Sequence, residues 1–130
     1  DLHILELVGT LSERRNADVT LVYVVEVKQA LRLDTPLPDF VVAGESALQR
    51  AEAYARHKAE HKLQRLTLEL IQARNIGAAI VDEAIAREAD LIVMACRNRM
   101  HLGRLTVGET VPYVLKNAPC EVIVSRLEEE

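Results

Sequence analysis

Aromatic residues are almost missing: the 130-residue sequence has no tryptophan, one phenylalanine and three tyrosines, an aromatic fraction of 3%. With 49% of the residues hydrophobic, its core must therefore be aliphatic. Cysteine is scarce too. Cys96 and Cys120 are the two present, too few for a disulfide scaffold, and a reducing compartment is the simpler reading. There is no basic excess. Sixteen Lys and Arg against twenty Asp and Glu give a net charge of −4, which argues against a general nucleic-acid binder. Long apolar runs are also lacking, Leu91 to Cys96 being typical, so no transmembrane helix and no direct membrane insertion are expected. The opening residues carry Asp1 and Glu6 without a basic start and do not read as a signal peptide. High aliphatic content with low net charge disfavours disorder. A mass of 14.5 kDa suits one domain over residues 1–130, burying roughly two-thirds of its unfolded surface. The expectation is a soluble, cytoplasmic, single-domain protein or module.

Asp1 is placed to cap a helix running to about Arg15, whose Leu2, Leu5, Val8 and Leu11 recur at helical spacing. Asp18–Val27 is β-branched almost throughout and apolar on both faces, as an interior parallel strand would be. Residues 28–44 have no clean period and contain Pro36 and Pro38, so they read as a long flexible loop. Glu45 to about Lys62 reads as a solvent-facing helix, and Leu66–Ile71 as a strand with one fully apolar face. Asn75 is a candidate cap for a helix whose buried stripe is Ile76, Ile80, Val81, Ala84 and Ile85. Asp90–Ala95 is a second interior strand, and Cys96–Val107 a loop. A short helix from Gly108 tolerates Pro112 in its first turn. Cys120–Ser125 is the last strand. This alternation predicts an α/β fold, with a parallel sheet, helices on both faces and right-handed crossovers. Ligands in such sheets sit beyond the carboxyl ends of strands, which directs attention to the loops after Val27 and Met94.

From Ala79 the sequence resembles the universal stress protein family, through Ala79-Ile-Val-Asp-Glu-Ala-Ile-Ala-Arg-Glu-Ala-Asp-Leu-Ile-Val-Met94 and Leu102-Gly-Arg-Leu-Thr-Val-Gly-Glu-Thr-Val-Pro-Tyr-Val-Leu-Lys-Asn-Ala-Pro-Cys-Glu-Val-Ile-Val124. Ala17-Asp-Val-Thr-Leu-Val-Tyr-Val-Val-Glu-Val27 fits more loosely. The resemblance implies a three-layer fold around a five-stranded parallel sheet in the order 3-2-1-4-5. The family's first, central strand precedes the helix at Asp1–Arg15 and has no counterpart in the sequence. A strand from elsewhere is therefore expected between the runs Val19–Val27 and Leu91–Met94, since open edges on both would strand buried backbone groups.

Nucleotide-binding members carry Gly-x-x-Gly, nine residues, then Gly-Ser or Gly-Thr after the fourth strand. That motif falls here on Ala95, Asn98, Gly108 and Glu109, and only Gly108 keeps its type. Asn98 retains access to the left-handed conformation, and Ala95 adds one methyl group. Glu109 stands where the family's hydroxyl meets phosphate, and its carboxylate is expected to occupy the same amides and to repel phosphate. By resemblance Val24 lies near an adenine, and Met94 and Thr110 also line the site. The basic residues Arg97, Arg99, His101 and Arg104 crowd the same loop, as a solvated segment or as contacts to an anionic ligand.

His57 and His61 have the spacing of a metal pair but no third ligand, so they read as surface residues, and no metal is expected. Cys96 beside Arg97 and Cys120 read as inert packing thiols. The resulting reading is a non-catalytic regulatory or stress-response domain. ATP or another adenine nucleotide is expected to bind weakly or not at all, no cofactor is required, and the resemblance implies a homodimer through Val122, Ile123 and Val124 of the last strand. The resemblance also implies a free-standing protein or the soluble domain of a membrane transporter. Alternatives are a true ATP, AMP or cyclic-dinucleotide binding module, or an enzyme like the adenine-nucleotide α-hydrolases.

Overall fold

In the computed structural model the described residues are 2–13, 17–97, 99–101, 104–106 and 108–127. They fall into two units, residues 1–74 and 75–130. The first opens with helix α1 (Leu2–Ser12), followed by strand β1 (Val19–Glu26), helix α2 (Pro38–Ala53), a π-helical turn (Tyr54–Lys58) and strand β2 (Leu66–Ala73). β1 and β2 run parallel, from Val19 opposite Leu66 to Glu26 opposite Ala73.

α2 starts at Pro38, seven residues before the expected Glu45, so the loop expected over 28–44 ends at Leu37. Proline at the first helical position loses no intrahelical bond, because that N–H has no partner in any helix. Pro38 thus starts the helix instead of excluding it. The same shift brings Gly44 onto the sheet. A Cβ there would lie 2.7 Å from Tyr23 and 2.8 Å from Leu70, so only glycine permits this close approach. The helix also ends earlier than expected, at Ala53, and passes into the π-helical turn, where Ala59 N–H reaches the Tyr54 carbonyl at 2.9 Å. Leu63 N–H then bonds the Ala55 carbonyl at 2.8 Å, and Arg56 donates to the carbonyls of Gln64 (2.7 Å) and Leu66 (3.1 Å). Arg56 thereby fastens the turn to the start of β2.

Leu5, Ala55 and Leu63 form the buried centre of this unit, with Val8, Val19, Leu21, Ala51, Tyr54 and Leu66 packed around it. α1 lies so close to the following segment that a Cβ on Gly9 would overlap the His61 carbonyl oxygen. A polar contact reinforces the packing, with the Tyr54 hydroxyl donating to the Glu6 carboxylate, which also receives Glu60 N–H at 3.4 Å. The bond to Glu6, then burial, then the charge of Glu6 raise the Tyr54 phenol above the ordinary tyrosine range. A raised folded value means stabilisation present below the ordinary value of about 10 and lost as pH rises through the folded value. In an ultraviolet titration one of the three tyrosines should therefore ionise last. Tyr54→Phe should remove that late step and release α1; three coincident ionisations in the wild type would contradict the contact.

The second unit begins where Asn75 caps helix α3 (Ile76–Ala86), its side-chain oxygen accepting from Ala78 N–H at 2.9 Å. This is the cap expected from sequence. α3 ends with Glu88 in the left-handed region (φ 51°), and Ala89 N–H closes on the Ala84 carbonyl at 2.9 Å. Strand β3 (Leu91–Arg97), the short strands β4 (Arg99–His101) and β5 (Arg104–Thr106), helix α4 (Thr110–Asn117) and strand β6 (Glu121–Leu127) follow. β3 and β6 are parallel, with Met94 opposite Val124. Ala79, Val81 and Ala84 of α3 and Val111 and Val114 of α4 are buried. Gly77 lets α3 approach the Tyr113 ring, which a Cβ would meet at 3.0 Å. Ile85, counted in the buried stripe from sequence, is instead 56% exposed; the buried positions of α3 are Gly77, Ala79, Val81 and Ala84.

The α/β class with parallel pairing is therefore present, but the five-stranded sheet is not. Among the described residues the strands make three two-stranded sheets, β1–β2, β3–β6 and the antiparallel β4–β5. The two parallel pairs match the 3-2 and 4-5 halves of the expected order. β1 and β3, the strands meant to flank a central one, each keep a single partner. Val22 of β1 is 36% exposed, where the sequence predicts an interior strand.

Candidate ligand site at the strand ends

Met94 and Ala95 lie in the carboxyl half of β3, both half-buried, and Arg97 ends that strand. Asn98 lies outside the described residues. Beyond it the expected loop Cys96–Val107 is partly strand. β4 and β5 form a ladder with Arg99 opposite Thr106 and His101 opposite Arg104. Three-residue strands are too short for alternation to reveal in sequence.

Gly108, Glu109 and Thr110 form the entrance to α4. Gly108 has φ 81°, and an added Cβ would meet nothing within 4 Å. Glycine is thus needed there for backbone handedness and not for space. Glu109 is the N-cap residue, with φ −101° and ψ −24°, and its exposed side chain makes no capping hydrogen bond. This corrects the expectation that its carboxylate would occupy the helix amides. Capping needs extended backbone and a short side chain, and Glu109 has α-region backbone and one methylene more than aspartate. The carboxylate is left beside the positive end of the α4 dipole without consuming its donors. Pro112 in the first turn has no N–H, so fewer backbone donors face an anion here than at an ordinary helix start.

Val24 is half-buried in β1, opposite Ile71. It belongs to the first unit, whereas Met94, Ala95, Arg97, Gly108, Glu109 and Thr110 belong to the second.

Family-model comparison matches residues 2–126 to the universal stress protein family. The chain belongs to the universal stress protein family. Among curated proteins none matches this chain. The family assignment gives a stress-response domain in general terms and accounts for the parallel α/β pairing. Among the described residues no helix is long and apolar enough to cross a membrane.

The remaining sequence candidates separate clearly. His57 is exposed, His61 Nδ1 lies 3.8 Å from Glu13, and among the described residues no cluster of metal-ligand type occurs. The Cys120 thiol, half-buried before β6, is pushed up by burial and then by the charge of Asp90, which favours its protonated form. Cys96 is half-buried within β3. Two residues with a clear role escaped the sequence reading, Gln72 and Arg74 at the carboxyl end of β2. Gln72 Nε2 donates to the carbonyls of Leu33 (3.2 Å) and Thr35 (3.1 Å), and Arg74 to those of Lys28 (2.9 Å) and Leu31 (2.7 Å). The one available signal was a polar pair at strand spacing, Gln72-x-Arg74, following the alternating run Leu66–Ile71.

Proposed function

We propose that this universal stress protein domain is a non-catalytic, cytoplasmic regulatory module that acts as a homodimer and whose nucleotide site is weakened. The observation that carries the reading is Glu109, an uncapped and exposed carboxylate at the start of α4, where nucleotide-binding relatives carry a hydroxyl. ATP brings phosphate charge to that helix end, and a fixed carboxylate opposes it. Gly108 favours a second reading, since its positive φ preserves the backbone form of a phosphate-binding turn. On that reading the domain is a working adenine-nucleotide module, with arginines of the β3–β5 segment compensating for the lost glycines. Calorimetric titration of the wild type and of Glu109→Ser with ATP decides between them.

The finer architecture belongs to the same proposal. A fifth strand, from residues beyond those described or from another chain, pairs with the open edge of β1 and completes a 3-2-1-4-5 sheet. The polarity of β1 supports this. Val19 N–H donates to Arg65 and Val27 N–H to Ala73, so odd-numbered amides face β2 and even-numbered ones face the open edge. Amide exchange of the isolated 130-residue chain should protect Leu21, Tyr23 and Val25. Thr20, Val22 and Val24 should exchange faster by at least about tenfold, the rate ratio for 1.4 kcal/mol. In a longer chain, or one supplied with the missing strand, the even-numbered amides should become protected as well. Equal protection of both sets in the isolated chain would mean that the edge is already covered.

A further inference from the structure

We propose that residues 28–37 form a latched strap at the carboxyl end of β2, with the side chains of Gln72 and Arg74 as the latch. The segment has no helix or strand of its own; its internal backbone bonds are two turns, Leu31 to Lys28 and Thr35 to Arg32, each 3.0 Å. Apolar packing does little to hold it, since Leu31 is 38% and Leu33 49% exposed. Four side-chain bonds from β2 and its last turn hold it instead, spread over carbonyls from Lys28 to Thr35. Gln72 lies in the last pleat of β2 and Arg74 in the bend just past its end, and both side chains reach the same segment.

Both ends of the strap are anchored. Val27 is 1% exposed and bonded to Ala73 at 2.8 Å, and Pro38 begins α2, whose Gly44 is packed against Tyr23 and Leu70. Releasing four polar bonds therefore frees the intervening segment while the core stays closed, the pattern of a local opening well below the global unfolding free energy. The carboxyl ends of parallel strands are where α/β sheets take ligands, and the strap lies at that end of β2.

Trypsin reads the opening directly, because Lys28 and Arg32 lie within the strap while Arg50, Arg56 and Arg65 lie elsewhere in the same unit. Arg74→Ala should speed cleavage after Lys28 and Arg32 about tenfold or more relative to wild type, with cleavage after Arg50, Arg56 and Arg65 unchanged. Gln72→Ala should act in the same direction. Arg74→Lys keeps the charge but loses the two-pronged fork, and should fall between wild type and alanine. Selective acceleration in either alanine variant supports the latch, even if the other is globally destabilised. If neither variant speeds strap cleavage more than cleavage elsewhere in the unit, the latch assignment is wrong.

Discussion

Replacing Glu109 with serine should tighten ATP binding about tenfold or more over a wild type that binds weakly or not at all. A carboxylate about 4 Å from a phosphate charge costs on the order of 1 kcal/mol in bulk water and 4 kcal/mol at the effective dielectric of a protein surface. Since 1.4 kcal/mol is about a factor of ten, this range spans several-fold to nearly a thousandfold in affinity. Glu109 is exposed, which favours the lower half of that range. Because its carboxylate does not cap α4, the substitution gives up no capping bond. Gly108→Ala in the Glu109→Ser background should abolish the gain, since φ 81° is costly for any residue with a Cβ. Micromolar binding by the wild type, unmoved by Glu109→Ser, would show that the carboxylate does not face the nucleotide.

Ile123→Lys should convert the proposed dimer into monomers. β6 pairs with β3 alone among the described residues, so its other edge is open, and Val122, Ile123 and Val124 on an unprotected edge favour pairing with a second copy. A two-fold axis doubles the effect of any substitution, because each interface residue occurs twice. Losing the burial of one isoleucine costs about 1.5 to 3 kcal/mol, so the pair costs about 3 to 6 kcal/mol before any repulsion between the lysines. That weakens dimerisation by about a hundredfold to ten-thousandfold. Sedimentation at micromolar concentration reads the change, and circular dichroism establishes that the variant is folded. A wild type that is already monomeric under those conditions would refute the proposed interface.

The parts of this fold legible in sequence are those whose signal is local. β1 and β2 were recognisable from β-branched and alternating residues, α3 from its cap at Asn75, and α4 from Gly108 and the tolerated Pro112. The start of α2 is not legible in sequence because proline is compatible with both a loop and a first helical turn. The π-helical turn after Ala53 and the β4–β5 ladder were missed because neither has a period that the sequence could display. At the site, Gly108 was legible because a conformational requirement shows in the residue type. The lack of a Glu109 cap was not, because backbone angles decided it.

What the sequence determined by itself was the aliphatic α/β character, the succession of the four helices and four parallel strands, and the family, since periodicity, turn residues and motif spacing are properties of neighbours along the chain. What only the tertiary structure decided was partnership. It showed that β1 and β3 each keep one strand beside them, that Gly44 lets α2 close on Tyr23 and Leu70, and that Gln72 and Arg74 hold residues 28–35. Such contacts join residues some forty positions apart through carbonyls that every residue carries. No side-chain pattern along the chain marks which of those carbonyls a distant arginine will reach.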